Sequence, residues 1–324
     1  MVTGVTFYVV LPALLHVLAA WPRLSSLVPA WLSLMLLAEV GSFVCSLALQ
    51  RMILRSRDWF AVVTASLVGN AVTNVVPAGD AVGAGVQFRM LVSSGIDAVQ
   101  AGGGLAVASL LNAGALFSLP IFVLPAVIGG MSVNRDLLVA ALLGIGGFVL
   151  IAAGGVVTFY YDGVLRFAAR FTQSILNLLR RRRHSWAPLA QRLLEQRDLI
   201  AADLGRQWGR AILLVAGRIG LDYLSLLAAL RATGARPNPA LVLLAYAATT
   251  VVGLLPLTPG GLGLVEATLS GLLVLAGVKD TSALLATLAY RLGGYWLPIM
   301  AGGVSYVLFR RRYGGVDTET PSDH

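Results

Sequence analysis

The chain has 324 residues, of which 57% are hydrophobic and only 12% are charged, and its mean hydropathy is +0.82. No soluble domain of this length needs so much apolar surface, so we predict a polytopic, all-α membrane protein. The net charge of +9 is concentrated in loops, which indicates membrane topology and anionic lipid headgroups and argues against nucleic-acid binding. A single cysteine and scattered histidines exclude a disulfide framework and give no metal-ligand spacing, and we expect no cofactor.

Apolar segments long enough to cross a membrane follow one another along the chain. They lie at 5–21, 27–50, 98–128, 137–159, 208–230 and 281–309. Two further apolar regions are interrupted: 59–94 by Pro77-Ala-Gly-Asp80, and 238–278 between Pro256 and Gly263. Lipid cannot satisfy broken backbone, so protein or a polar cavity must cover these breaks. We predict a helical bundle of about eight membrane segments that includes two broken hairpins. The first hairpin is expected to be re-entrant, and the second is either re-entrant or fully spanning.

Arginine clusters orient these segments. They follow the second span, fill the connection 160–207 and close the last span. The positive-inside rule makes all three clusters cytoplasmic, which places both termini in the cytoplasm. Region 59–94 then opens to the cytoplasm and region 238–278 opens to the exterior.

The connection 160–207 carries apolar residues at helical spacing, so we predict basic amphipathic helices on the inner leaflet. Its run Arg180, Arg181, Arg182 and Arg183 is interpreted as a solvated patch facing lipid, with specific headgroup binding as the alternative. Residues 1–313 are predicted to form one transmembrane domain, and residues 314–324 a disordered cytoplasmic tail.

The two interrupted regions resemble each other. Each contains a proline, a glycine, a helix, a glycine turn and a span that reaches another proline. The separation is 43 residues from Pro77 to Pro120 and 42 residues from Pro256 to Pro298. Because the arginines give the two copies opposite orientations, we predict an inverted repeat, the architecture expected of secondary transporters. Chance recurrence of glycine and proline is the alternative.

The second hairpin supplies the first candidate site. Thr258 is predicted to be an N-cap, with Pro259 at the first helical position. The helix N-terminus, with Gly260 and Gly261, would then offer free N–H groups to an anion. Glu266 is expected two turns into this helix, and an intramembrane carboxylate is a candidate functional group by default.

Arg291 lies near the centre of the last predicted span. A central arginine costs ~2.5–3.5 kcal/mol on insertion scales, so it must face protein or water. Glu266 is the predicted counter-ion, and the pair is either a structural lock or a pair that opens for a charged headgroup. The helix of Glu266 also carries Gly263, Ala267 and Gly271 at four-residue spacing, which predicts close packing by a neighbouring helix.

The other charged residues in the predicted membrane segments each have more than one possible role, or none that the sequence explains. Asp80 is predicted to be an N-cap or a site residue. Arg89 lies half a turn round from Asp80, so it either snorkels to the interface or joins the site. Arg218 and Asp222, at i and i+4, are expected to neutralise each other, with a role in transport as the alternative. Glu39 has no near partner in sequence and stays unexplained.

The sequence PLTPGGLGLVEATLSGLLVLAGV, followed by LLATLAYRLGGYWLP, resembles the lysylphosphatidylglycerol synthase transmembrane-region family. VVPAGDAVGAGVQFRMLVSSGID resembles the first hairpin of that family, so the similarity covers about residues 59–309. The family includes the flippase domain of the multiple peptide resistance factor. The resemblance implies lipid movement between leaflets, with Glu266 and Arg291 at functional positions and an acidic residue at Asp222. Gln87-Phe88-Arg89 stands where many relatives are more basic.

We therefore expect a non-enzymatic lipid flippase of the bacterial inner membrane. Helix N-termini after Pro77 and Pro256 would hold a phosphate, and Glu266 a cationic head. The lipid is expected to be an anionic or aminoacylated phospholipid or an isoprenoid-linked lipid. Any synthase or transferase would be a separate protein, and a homo-oligomer is left open. The alternatives are a membrane scaffold for a lipid-modifying or glycosyl-transferring enzyme, and a small-solute transporter.

Overall fold

The computed structural model describes the backbone at residues 28–56, 58–76, 79–123, scattered positions between 139 and 154, 187–253 and 258–314. In chain order its helices are α1 (Pro29–Leu54), α2 (Trp59–Val75), α3 (Gly79–Ser93), α4 (Ala98–Ser118), α5 (Ala187–Ala232), α6 (Pro239–Gly253), α7 (Leu264–Leu275), α8 (Asp280–Arg291) and α9 (Leu297–Tyr313). Short 3-10 turns lie at Leu119–Val123 and Pro259–Gly261, and a π-helical turn at Leu292–Trp296 joins α8 to α9. No strand occurs within these described ranges, so the predicted all-α fold class is confirmed.

Four helices in the described part are long and apolar enough to cross a membrane. They are Pro29–Leu54, Ala98–Phe122, Gln207–Ala232 and Asp280–Tyr313. These agree with the predicted spans 27–50, 98–128, 208–230 and 281–309. The spanning part of α5 begins at a kink where Gln207 has non-helical dihedral angles (φ −116°, ψ 18°), which is the residue where the predicted cytoplasmic connection ends.

Four shorter helices form two antiparallel pairs, α2 with α3 and α6 with α7. The longest, α2, has 17 residues and extends about 26 Å at ~1.5 Å per residue, less than the ~30 Å hydrocarbon core. The shortest, α7, has 12 residues and extends about 18 Å by the same rise. These lengths fit two broken hairpins. Their re-entrance and their relation as an inverted repeat stay predictions.

The breaks of the two pairs come together. Gly260, with φ +52°, lies so close to the end of α2 that an added Cβ would be 2.9 Å from Asn74 Cα. The hydroxyl of Tyr295, in the π-helical turn, donates a hydrogen bond of 2.8 Å to the backbone carbonyl of Asn74. Tyr295 is fully buried, so this contact fixes the π turn against the first pair.

Close packing between α9 and α2 depends on a glycine. An added Cβ at Gly302 would lie 2.4 Å from Ala71 Cβ and 2.6 Å from the carbonyl oxygen of Leu67. Glycine lets the two backbones approach, as is common where membrane helices cross. At the next residue, Gly303, the same Cβ would meet no atom within 4 Å.

The start of α2 is held to the end of α9. Asp58 is the N-cap of α2 and accepts hydrogen bonds from the N–H groups of Phe60 and Ala61 at 2.9 and 3.3 Å. The Tyr313 hydroxyl donates a hydrogen bond to the other carboxylate oxygen of Asp58, Oδ2. Arg312 Nη2 lies 3.7 Å from the same oxygen. The Tyr313 hydrogen bond is the main cause that lowers the pKa of the Asp58 carboxyl.

Candidate functional site

A polar cavity of about 350 Å³ lies where the two short helix pairs meet α1, α5 and α8. We call it the central cavity. Its charged lining residues are Glu39, Asp80, Arg218, Asp222 and Arg291. Uncharged polar residues from α2 and α6 also line it: Asn70, Thr73, Asn74, Tyr246, Thr249 and Thr250. Charged side chains are expensive among membrane helices unless they are paired or face a polar space, so their convergence marks this cavity as the candidate site.

Arg291, the last residue of α8, contacts α7, the 3-10 turn before α7 and the π-helical turn that follows α8. Its Nε donates a hydrogen bond of 2.7 Å to Glu266 Oε1, and its Nη2 donates one of 2.9 Å to the carbonyl of Gly260. Its guanidinium lies 4.4 Å from the ring centroid of Tyr295. The ion pair is largely buried, with side-chain exposures of 14% for Arg291 and 18% for Glu266. The structure thus contains the predicted Glu266–Arg291 pair.

Glu266 also caps its own helix. Its Oε2 accepts the N–H of Gly263 at 2.7 Å, and Gly263 is the N-cap of α7. The expectation that Glu266 lies two turns into the helix is wrong, because α7 begins only at Leu264 and Glu266 is in its first turn. The carboxylate therefore occupies the positive end of α7, where the sequence predicted an open anion site.

The segment before α7 is a short 3-10 turn and not the start of the helix. Thr258 is at the N-cap position with Pro259 after it, as predicted, but the Thr258 side chain makes no capping hydrogen bond. Positive φ values of +52° at Gly260 and +70° at Gly261 stop the turn after three residues. Thr258, Gly260 and Gly261 line the central cavity, whereas Pro259 is buried behind them.

Asp222 and Arg218 have other partners than each other. Asp222 accepts hydrogen bonds from the hydroxyls of Tyr246 (2.6 Å) and Tyr290 (2.7 Å), and Arg218 donates one of 3.0 Å to Asn112 Oδ1. The predicted direct neutralisation at i and i+4 is wrong, because neighbouring helices satisfy each side chain. Both residues line the central cavity, so their charges still act on the same space.

The first pair contributes one charged residue to the cavity. Asp80 is in the first turn of α3, inside the helix and not at the predicted N-cap. Its charge lies at the positive end of α3, as the charge of Glu266 does at α7. Arg89 is exposed and lies outside the cavity lining, so the structure does not bring it to the site.

The small-residue stripe of α7 has no partner among the helices that the structure describes. Gly263, Ala267 and Gly271 are all exposed, and an added Cβ at either glycine would meet no described atom within 4 Å. No neighbouring helix of the described chain covers this stripe, so a close crossing by another part of the chain stays a prediction.

Several predicted residues fall outside the described part of the chain. They are Pro77, Pro256, Arg180, Arg181, Arg182, Arg183, the span 5–21, most of the span 137–159 and the tail from 315. Residues 187–206 of the connection have helical backbone within α5, and its predicted position on the inner leaflet stays a prediction.

Sequence reasoning missed the polar face of α2 and the tyrosines around Asp222. Asn70, Thr73 and Asn74 recur at i, i+3 and i+4 within an apolar segment, a spacing that places them on one helix face. That signal was available in the sequence. Tyr246 and Tyr290 carried none, because tyrosine is common in membrane helices and only the fold brings both hydroxyls to one carboxylate.

The chain matches the family described as the lysylphosphatidylglycerol synthase TM region, and the match covers residues 1–302. Comparisons with curated proteins and with solved structures return no match. The family match includes both short helix pairs and every charged residue of the central cavity.

Proposed function

This chain belongs to the lysylphosphatidylglycerol synthase TM region family, and we propose that it is a transporter that moves a phospholipid or a lipid-linked headgroup between the leaflets of a bacterial inner membrane. Family and apolar helices together identify a membrane protein involved in lipid handling. In our proposal the chain carries out no catalysis, both termini face the cytoplasm, and a separate synthase or transferase makes the lipid.

The central cavity is the observation that carries this proposal. Polar and charged groups cost free energy among apolar helices unless a ligand, water or another polar group meets them. A volume of about 350 Å³ is near the lower end of the ~300–1,000 Å³ typical of ligand sites. This size suits a lipid headgroup whose acyl chains stay in the bilayer.

The charges suggest how a headgroup would be held. A phosphate entering the cavity competes with Glu266 for the guanidinium of Arg291, because both are anions that accept charge-assisted hydrogen bonds. A cationic group on the same headgroup would face the carboxylates of Asp80 and Asp222. Carboxylates already lie in the first turns of α3 and α7, so we assign the phosphate to Arg291 and not to the helix ends.

A leaflet-exchange assay with purified protein in proteoliposomes tests the proposal. Anionic, aminoacylated and isoprenoid-linked lipids are compared with protein-free vesicles. We expect exchange of at least one lipid class, and we expect Glu266→Gln and Arg291→Gln to reduce it to the protein-free rate. Lys279→Gln and Asp280→Asn are matched controls, because both side chains are exposed outside the cavity, and they should keep the wild-type rate.

Wild-type exchange in both Glu266→Gln and Arg291→Gln would overturn the assignment of this pair. Folding of each variant is checked by thermal unfolding in detergent, so that a misfolded variant is not read as an inactive one.

The cavity size also favours a second candidate, a small-solute transporter. A volume of about 350 Å³ holds a solute without acyl chains as readily as a headgroup. Such a transporter would show solute uptake or currents in the same vesicles without any exchange of lipid.

A further inference from the structure

Glu39 is a buried carboxyl group near the middle of α1. It is the eleventh of 26 residues in the helix, about 15 Å from its start at ~1.5 Å per residue. The residue is 4% exposed and lines the central cavity. Among the residues that the structure describes, its Oε2 has no hydrogen-bond partner. A buried, unpartnered carboxyl oxygen at a polar cavity calls for a physical explanation.

Glycines of the π-helical turn bring backbone close to this carboxyl group. An added Cβ at Gly294 would lie 3.2 Å from Glu39 Oε1, and one at Gly293 would lie 3.5 Å from Glu39 Cγ. An alanine at Gly294 would therefore require Glu39 Oε1 to shift by a few tenths of an ångström. The turn directly follows Arg291, so the same short segment that contacts Glu39 begins at the Glu266–Arg291 pair.

The titratable and charged groups that face Glu39 come from α5, α6 and α8. From α5 these are Arg218 and Asp222, and from α6 and α8 they are Tyr246 and Tyr290. Both tyrosine hydroxyls donate to Asp222, which accepts them as a carboxylate does. Their hydrogens are therefore directed at Asp222 and are unavailable to Glu39.

Within the described chain, counting charges leaves an ionised Glu39 without a cation of its own. Arg218 and Asp222 contribute one positive and one negative charge at the same place. The other cation of the cavity, Arg291, is paired with Glu266. A second negative charge beside Asp222 would be buried and unbalanced, which costs several kcal/mol in general. A neutral carboxylic acid avoids this cost.

We propose that Glu39 is a proton-binding site of the central cavity, neutral while the cavity is empty and ionised when a positively charged group enters beside it. The proposal rests on the function proposed above, because the entering group is part of the transported headgroup. The O–H bond of Glu39 breaks, the proton passes to water in the cavity, and the carboxylate then balances the cation. One positive charge enters as one leaves, so the net charge of the site is unchanged.

Infrared difference spectroscopy of the full chain in lipid nanodiscs tests the proton directly. We expect wild-type protein at neutral pH to show the C=O band of a protonated carboxylic acid. The band should be absent from Glu39→Gln and present in the control Asp280→Asn. Glu39→Asp retains a carboxyl group and should shift the band, which keeps the test decisive if Glu39→Gln does not fold. An absent band, a band of equal size in Glu39→Gln, or an unshifted band in Glu39→Asp would overturn the proposal.

Leaflet exchange measured from pH 5 to 9 supplies the functional readout. The wild-type rate should depend on pH, and the rate of Glu39→Gln should not follow that profile, because glutamine keeps the shape of the acid and cannot release a proton. Equal pH profiles in the two proteins would overturn coupling through Glu39. If lipid exchange is observed but the infrared band is absent, only the proton site at Glu39 is contradicted. If the band is present but no lipid exchange is observed, only the proposed transport is contradicted.

Discussion

At the scale of single residues, charged side chains at the central cavity are held by groups from other helices. Asp222 illustrates this, because its two hydrogen bonds come from Tyr246 on α6 and Tyr290 on α8. Two hydroxyl donors satisfy both oxygens without adding a cation. Asp222 thereby remains an acceptor with a negative charge beside the cavity, and Arg218 is free to bind Asn112 on α4.

Tyr246→Phe and Tyr290→Phe should each lower the free energy of unfolding by about 1.5–3 kcal/mol, the usual contribution of a hydrogen bond to a charged group. The double variant leaves a partly buried carboxylate without either hydroxyl donor, so its loss should exceed the sum of the single losses. Thermal and denaturant unfolding in detergent micelles measures these values. Tyr306→Phe is the control, because Tyr306 is 47% exposed and should change stability by less than ~0.5 kcal/mol. Losses no larger than that of the control would show that the two hydroxyls do not stabilise Asp222.

The sequence identified the charged residues more reliably than their partners. Glu39, Asp222, Glu266 and Arg291 stand out because charge is rare and costly in apolar segments. Glu266 and Arg291 could be paired because Glu266 lies on the arm directly before the span of Arg291. The partners of Asp222 could not be predicted, because they depend on how three helices cross and rotate relative to one another.

At the scale of helices, length and hydropathy were enough to predict the four spanning segments in the described chain. Local backbone geometry was harder to predict. Proline followed by two glycines suggested a helix start, but the positive φ values of Gly260 and Gly261 end that turn and delay α7 to Leu264. That delay moves Glu266 into the first turn of α7 and gives it a capping role. Glycine adopts positive and negative φ about equally readily, so it allows either a helix that starts at Gly260 or a turn that ends at Gly261. The sequence alone does not decide between the two.

The crossing of α9 with α2 gives a test at this scale. Gly302→Ala would place a methyl group in contact with Ala71 and the backbone of α2, and overpacking of this kind costs about 1–3 kcal/mol. Gly303→Ala is the matched control in the next position, where the methyl group meets no described atom. It should be neutral or stabilise the helix by up to ~1 kcal/mol. Unfolding in detergent measures both, and equal stabilities of the two variants would contradict the close α2–α9 contact.

At the scale of the whole molecule, the two short pairs share one local design. Each pair ends in a glycine turn of the same type. The N–H of Ile96 bonds to the carbonyl of Leu91 at 3.2 Å after Gly95, and the N–H of Val278 bonds to the carbonyl of Leu273 at 3.0 Å after Gly277. Both glycines have φ near +90° (+94° and +89°), as Schellman motifs require. The same turn also closes α5 at Gly234, where φ is +80°, so the repeat stays a prediction, and the opposite orientation of the two pairs in the membrane is open to a direct test.

The arginine pattern predicts that the turn after α3 faces the cytoplasm and that the turn after α7 faces the exterior. With Cys45 replaced by alanine, single cysteines at Ala98 and Thr281 report on these turns, because both positions are exposed at the first residues of the helices that follow. A membrane-impermeant maleimide applied to intact spheroplasts should label Thr281→Cys and should label Ala98→Cys only after permeabilisation. Arg236→Cys and Arg311→Cys provide exterior and cytoplasmic references from exposed positions. Labelling of both turns from the same side would contradict the inverted arrangement. It would also contradict the route by which a headgroup bound between the two pairs would pass from one leaflet to the other.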